Sequence, residues 1–402
     1  MITPGKNTHR GIWRTRAGRI VDAARAIGAL GRAIDPFDQL QTVEYTPIIE
    51  RSPRPGFSVL RDRTVPSGEA VSIVDGEMEV DGTADKLAVY TRKRGRYLPG
   101  LIGVPGLRFR IADPSTGHYE YGYGDEFGNR MGVEWDQGEV FTFVESNGDR
   151  YYRQPRSQWL DPLDGTGPSG VDADINGLTL RMPFGWYGGL LVRFDFAVPD
   201  RERGDQIYTA DRSSKDELQG GVTLQEPNLP IFAEADGGIG YIGGRQYGVY
   251  GRYKPEFRVT SSGNFTKSVG TDYEPIVSMR VKDLVAFRGV PVILGGTGVL
   301  VTEDTEWAIF IDADLSGDSF GSISGVPDDE TALEVDSSAT AVTGGYRVYS
   351  DTVEGGQGNR SGQGTINLPD FNIPSDGLIT LAARGISETA TINATLRVLE
   401  EN

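Results

Sequence analysis

The chain contains no cysteine, so neither a disulfide nor a thiolate metal centre can hold it together or catalyse a reaction. Its two histidines, His9 and His118, lie far apart in sequence, and that count excludes a site built from a histidine cluster. No apolar run reaches the ~18 residues of a membrane span, and the first residues lack the apolar centre of a secretion signal. A chain of this kind that acts outside a cell is expected to get there by lysis. Lysine is scarce as well: seven of the 40 basic residues, against 57 acidic ones and a net charge of −17. An acidic, lysine-poor surface suits a protein kept soluble in very high salt, where repulsion is screened within about 3 Å. No broad basic face is evident, so no nucleic-acid partner is expected.

What is abundant is turn-forming. Fifty-five glycines and 22 prolines in 402 residues, with helical periodicity confined to one early segment, indicate an all-β fold. The densest run of turn formers is RYYRQPRSQWLDPLDGTGPSG, Arg150 to Gly170, which predicts an ordered, tightly folded loop. Period-2 strands surround it. Leu107, Phe109 and Ile111 alternate with Arg108 and Arg110, and Tyr119, Tyr121 and Tyr123 alternate with Glu120, Gly122 and Gly124. Phe194, Phe196 and Val198 alternate in the same way with polar neighbours. Such strands bury one face each, as in two antiparallel sheets packed as a sandwich.

Ahead of them, Trp13, Ala17, Ile20, Ala24, Ile27, Gly31 and Ile34 recur at spacings of four and three, which predicts a helix ended by Asp35-Pro36. Trp13, Ile20, Ile27 and Ile34 form its bulky column, and six arginines against Asp22 make it basic. Packing on its own protein, docking or self-association, and lying on a membrane surface are the competing roles; docking or self-association is preferred. The expected layout is a docking and oligomerisation helix in 1–43, an extended linker with short strands in 44–96, a main β-sandwich in 97–311, an acidic linker in 312–336 and a small β-domain in 337–402. The polar stretch after Pro199, to Gly221, reads as an exposed loop.

Two stretches resemble the start of a calcium loop. They are Asp172-x-Asp174-x-Asn176-Gly177 and Asp312-x-Asp314-x-Ser316-Gly317, each without the closing Glu, since Pro183 and Ile323 stand there. Either also reads as a hydrated acidic turn. No Ser-His-Asp arrangement and no marked carboxylate pair is present, so the chain is not expected to be an enzyme.

Several runs together resemble a β-rich structural protein of tailed phages and large DNA viruses. They are RYLPGLIGVPGLRFRI, SQWLDPLDGTGPSG followed by LTLRMPFGWYGGLLVRFDF, EPNLPIFAE, IGGRQYGVYGRY and TLAARGISETATINATLRV. The resemblance spans roughly Tyr97 to Val259, with a looser match near the C-terminus, and departs at the inserted Val171–Asn176 and in the N-terminal segment. It implies a lectin-like or jelly-roll sandwich in a fibre, spike, turret or tail component of a virion. With the acidic composition, the source it suggests is a virus of a salt-loving archaeon. Expected partners are other virion proteins through the N-terminal helix, further copies (a trimer first, a pentamer second) and a host surface-layer glycoprotein or glycan. Arg201, Arg203, Tyr208 and Arg212 are the candidate receptor contacts, chosen by position in the polar stretch. Two other readings stay open: an architectural capsid or tail protein without a receptor role, and a virion-borne glycan hydrolase.

The charge balance generates a test. The melting temperature should fall as salt is lowered from molar to millimolar, because like charges are then unscreened. A melting temperature that stays level or rises on desalting would overturn the halophilic reading.

Overall fold

The computed structural model describes residues 3–4, 12–14 and 20–22. From 45 onward it describes all but 53–56, 59–60, 98–100, 186–190, 201–203, 214–223, 225, 251–256, 283, 285–289, 291, 356–359, 363–376 and 402. The early fragments are β1 (Thr3–Pro4), β2 (Ile12–Arg14) and β3 (Ile20–Asp22), an antiparallel meander in which Trp13 faces Pro4 and Val21. The helix expected over Trp13–Ile34 is corrected at these positions. Trp13 and Ile20 are strand residues, and Ile27 and Ile34 lie outside the described residues. β-branched Ile12, Ile20 and Val21 favour extended backbone, and Gly18 between the strands weakens a helix by about 1 kcal/mol.

Beyond them the chain divides into two compact units, one drawn mainly from residues up to Tyr253 and one mainly from Lys254 onward, with 58–63 and 91–94 joining the second. The first unit is made of β4 (Tyr45–Arg51), β5 (Asp62–Val65), β6 (Ser72–Val74), β7 (Glu77–Asp81), β8 (Leu87–Thr91), β9 (Ile102–Ile111), β10 (His118–Gly124) and β11 (Arg130–Asp136). It continues with β12 (Glu139–Ser146), β13 (Asp149–Pro155), β14 (Thr179–Arg181), β15 (Phe184–Gly185), β16 (Leu191–Asp200), β17 (Gly204–Arg212), β18 (Ile231–Asp236) and β19 (Ile239–Tyr250). Seven strands form one antiparallel sheet in the order β13-β12-β11-β10-β18-β8-β5. The nine-stranded sheet runs β14-β16-β15-β9-β19-β7-β6, with β17 on β16 and β4 on β19. The strands of 44–96, expected as linker, are thus members of both sheets. The loop expected after Pro199 is in part β17, whose Tyr208 pairs with Phe196 and whose Ala210 is buried.

The two sheets meet through aromatic side chains. Phe109 of β9 packs on Tyr121 and Trp135 of the other sheet, each at 5.0 Å between ring centres, and Tyr123 stacks on Tyr247 at 5.3 Å. The three tyrosines of β10 are fully buried, so each hydroxyl needs a partner across the gap. Tyr119 donates to the Asp113 carbonyl (3.1 Å), Tyr121 to that of Arg110 (3.2 Å) and Tyr123 to that of Pro227 (2.9 Å). Their length leaves no room opposite: a β-carbon at Gly238, Gly240 or Gly95 would collide with the hydroxyl of Tyr119, Tyr121 or Tyr123 respectively. At the rim, the Arg150–Gly170 run is ordered as its composition predicts. Arg156 donates to the carbonyls of Pro162 (2.6 Å) and Leu163 (2.8 Å), and Asp161 accepts from the amides of Leu163 and Ser169.

The second unit comprises β20 (Phe257–Ser261), β21 (Phe265–Val269), β22 (Glu274–Val281), β23 (Val292–Val301), β24 (Thr305–Ile311) and β25 (Asp314–Ser316). Then come β26 (Leu333–Asp336), β27 (Ala341–Thr343), β28 (Tyr346–Val353), β29 (Arg360–Gly362), β30 (Leu378–Gly385) and β31 (Ala390–Glu401). One sheet runs β20-β31-β23-β29 with β21 on β31, a second runs β26-β22-β30-β24-β28, and β25 pairs with β27. They share a core that includes Trp307, Ile309, Leu381 and Leu396. The 312–336 stretch, read as an acidic linker, contributes β25 and β26 and buries Ile323, Ala332 and Leu333 among its acids. Strands from 337–402 share both larger sheets with β20–β24 and β26, so that segment is not a separate sandwich. Among the described residues there is no α-helix, and the all-β class holds.

The tyrosine–glycine fit gives a test of the core. Gly240→Ala should destabilise by ~1–3 kcal/mol through overpacking. Tyr121→Phe in the same chain should recover part of that loss, because the hydroxyl is what the new methyl meets. A double-mutant cycle in denaturant with no coupling between the two sites would show the contact to be unimportant.

Candidate functional site

Two outward faces of the first unit concentrate polar side chains. On the seven-stranded sheet, Glu120 of β10 lies directly opposite Glu134 of β11 and Glu234 of β18. Three like charges abreast are destabilising unless compensated, and all three are nearly buried, at 2%, 3% and 2% exposure. Compensation comes from cations around them. Arg130 donates to Glu120 (2.9 Å) and Glu234 (3.2 Å), Arg153 donates to Glu134 (3.0 Å), Arg150 bridges Glu120 and Glu134, and Lys86 reaches Glu234 at 2.6 Å. The arginines lie over aromatic rings: Arg130 on Phe232 at 5.1 Å, Arg150 on Phe143 at 4.2 Å and Arg153 on Phe141 at 3.4 Å.

His118 completes this network, with Nε2 at 3.1 Å from Glu120 and Nδ1 at 3.6 Å from Glu134. Its hydrogen bond with Glu120 raises its pKa above the ordinary value, against a smaller lowering by burial. Burial by itself would raise the Glu120 carboxyl, but the His118 hydrogen bond and the charges of Arg150 and Arg130 hold it well below the usual range. A carboxyl held ionised in this way does not serve as a general acid. His118 also stands within ligand spacing of two carboxylates in two combinations, Glu134 with Asp136 and Glu120 with Glu234. Those carboxylates already face Arg130, Arg150, Arg153 and Lys86. The cluster is an ionic network that pins four strands together.

The nine-stranded sheet carries the open site. Its outward row runs Glu50 (β4), Gln246 (β19), Gly106 (β9) and Arg181 (β14), each opposite the next. The β9–β19 register slips between Ile242 and Arg245, where Gly243 and Gly244 form a bulge. The bulge and Gly106 leave bare backbone as a floor, above which three adjoining cavities of about 440, 560 and 290 Å³ open. The first two share Ser52, Arg108 and Gly244, and the last two share Thr179 and Gln246, so they form one trough. At one end Arg108 and Arg110 hold the two oxygens of Glu77 at 3.1 and 2.9 Å, and Arg110 lies 3.7 Å over the Tyr241 ring. At the other end stand Tyr45, Arg181 and Tyr250. Charged forks, a carboxylate, an amide and the hydroxyls of Ser52 and Thr179 line the walls between them. Such a surface can both donate to and accept from the hydroxyls of a sugar chain.

The residues singled out from sequence fall elsewhere. Asp174 caps a 3₁₀ turn (Ile175–Gly177) by accepting from the Asn176 amide (3.0 Å), Asn176 Oδ1 accepts from the Trp135 indole (3.1 Å), and Asp172 bridges to the backbone of Asp164. Asp312 pairs with Arg92 at 2.6 Å and accepts from the Leu378 amide (3.3 Å), while Asp314 is exposed in β25. Asp172, Asp174 and Asp312 are engaged by these bonds, and none of the four acids belongs to the acid and histidine groups that converge among the described residues. Tyr208 is half-buried in β17 and Arg212 is exposed near its end; Arg201 and Arg203 lie outside the described residues. The trough was missed because its parts (Glu50, Gly106, Arg181, Gln246) come from four separate runs. The IGGRQYG stretch was the available signal, since paired glycines in a strand mark a bulge.

No protein-family profile and no curated protein matches the chain. Solved structures similar to part of it include the carbohydrate recognition domain of Emp47p, at 11% identity over 48% of this chain and 89% of that one, with a TM-score of 0.27. The legume lectin-like domain from Entamoeba histolytica matches at 10% identity over 48% and 91%, with a TM-score of 0.28. Ligand-free Crh5 transglycosylase matches at 10% identity over 51% and 84%, with a TM-score of 0.32. At these scores the likeness carries no functional weight, and the site stands on its own residues.

His118 and Glu120 set opposite pH limits on stability. The pKa of His118 is raised by folding, so its contribution is complete below about pH 6.5 and fades as pH rises through the raised value. That of Glu120 is lowered, so its contribution is complete above about pH 4.5 and is lost on further acidification. The urea midpoint should therefore fall on the alkaline side, and His118→Gln should flatten that limb. An unchanged alkaline limb in His118→Gln would remove His118 from the network.

Proposed function

We propose that this chain is a carbohydrate-binding structural protein of a virion, which attaches the particle to a glycan or glycoprotein of the host surface through the trough on its nine-stranded sheet. The trough is what supports this reading. Its floor is glycine backbone, which lets a flat ring approach the sheet, and its walls alternate donors with acceptors. Sugars present hydroxyls that both donate and accept, so they match such a wall better than an apolar or singly charged ligand does. One site of this kind binds weakly; a homo-oligomer, a trimer first, would raise avidity by roughly 10²–10⁴ without any new contact. This reading does not require calcium: Asp174 caps a 3₁₀ turn, Asn176 accepts from Trp135 and Asp312 pairs with Arg92.

Gly244 supplies the test. A β-carbon there would meet nothing closer than the Arg51 carbonyl oxygen at 3.8 Å, so a large side chain fits the fold while filling the trough. Purified protein should bind host-surface glycans and compete with virus for host cells, and Gly244→Phe should lose at least ~10-fold in affinity with an unchanged melting temperature. If intact protein binds no glycan and does not compete, the architectural reading stands instead. If Gly244→Phe binds as well as the parent, the trough is not the site. Release of free sugar from host glycans would favour the hydrolase reading.

A further inference from the structure

The end of the trough beside Tyr45 differs chemically from the rest. Arg181 projects outward from β14, is only 8% exposed, and its Nε has no hydrogen-bond partner among the described residues. It makes no ion pair among them either. The residue directly opposite it is Asp195, but that carboxylate is taken by Arg193, from Nε at 2.9 and 3.0 Å and from a terminal nitrogen at 2.8 Å, and by the Thr209 hydroxyl at 2.7 Å. The Tyr45 hydroxyl, which lines the same 290 Å³ cavity, is likewise buried without a partner among the described residues. Burial pushes that hydroxyl up to about 12, partly offset by the charge of Arg181, so it remains a proton donor. A buried guanidinium Nε and a buried hydroxyl without acceptors among the described residues are costly arrangements, and two in one cavity are met most simply by a ligand that supplies acceptors.

The walls define how large that ligand is. Tyr45 packs edge-on to Tyr250 at 5.7 Å, and Ala197 and Ile207 add aliphatic lining. Thr179 and Gln246 continue into the larger cavity. Asp205 also lines the cavity; it is exposed and makes no ion pair with Arg181.

We infer that this cavity is a subsite for the anionic substituent of an acidic sugar, a carboxylate or a sulfate ester, held by the Arg181 fork and the Tyr45 hydroxyl. Arginine presents parallel N–H groups that match two oxygens of one anion, which lysine does not reproduce. Aromatic and aliphatic walls suit the C–H face of a single ring whose charged group points inward. The inference rests on reading the trough as a glycan site and specifies which glycans it selects.

The experiment separates the two. Binding is measured at fixed chloride for a neutral oligosaccharide, for the same backbone bearing a uronic acid, and for its sulfated form; free glucuronate and inorganic sulfate serve as small probes. The parent should bind at least one acidic form ~10-fold more tightly than the neutral one, the scale of one charge-assisted pair. Arg181→Gln should erase that preference, bringing the acidic forms down to the level of the neutral one, and Tyr45→Phe should reduce it without loss of fold. Which acidic form is preferred identifies the substituent. Equal binding of neutral and acidic forms by the parent, or a preference that persists in Arg181→Gln, would overturn the inference while leaving the trough in place. If no oligosaccharide binds but glucuronate or sulfate raises the melting temperature of the parent and not of Arg181→Gln, the anion subsite stands and the glycan reading falls. If Arg181→Gln does not fold, Tyr45→Phe decides alone: an unchanged preference there counts against the subsite.

Discussion

The registration of β10 governs the first unit. Its tyrosines are as long as the space between the sheets, so each can enter only where the facing strand or loop offers a glycine. That requirement fixes which face of β10 points inward, and a slip by one residue would put Glu120 into the aromatic core. With the register set, Glu120 must lie on the outer face beside Glu134 and Glu234, and the arginines of β11 and β13 become necessary rather than ornamental. Core packing and surface electrostatics are therefore one constraint seen from two sides. Removing a single partner from such a buried set costs ~3–5 kcal/mol, since it leaves uncompensated charge behind.

How much of this was legible in the sequence depended on range. The alternation of Tyr119, Tyr121 and Tyr123 with Glu120 and two glycines is local, and it correctly gave a strand with one buried face. Turn chemistry is local too, so the ordered rim loop around Trp159 could be read from its Asp, Pro and Gly residues. The all-β class followed from the same signals. Domain layout was less accessible. The acidic stretch 312–336 looks like a linker by composition, yet Ile323, Ala332 and Leu333 suffice to seat it in the second unit. Near the N-terminus, Trp13 and Ile20 satisfy a helical spacing and a strand equally well, and in so short a window periodicity does not decide between them.

The trough shows the same limit more sharply. Glu50, Gly106, Arg181 and Gln246 lie on four strands that are distant in sequence, and only the sheet order makes them neighbours. Glu120, Glu134 and Glu234 are likewise separated in sequence and abreast in space. No spacing rule within a run can find such sets. What the sequence did offer was the pair Gly243-Gly244, whose physical meaning as a bulge is specific even though its purpose is not.

That bulge has an evolutionary corollary. The depth of the trough belongs to the backbone of β9 and β19, while its chemistry belongs to side chains on its walls. Depth and chemistry can therefore drift independently: a substitution at Glu50, Ser52, Thr179 or Gln246 changes the chemistry the surface presents without altering the backbone that sets its depth. A lineage under pressure to follow a changing partner would vary there first, and the two glycines would be the last residues it could give up.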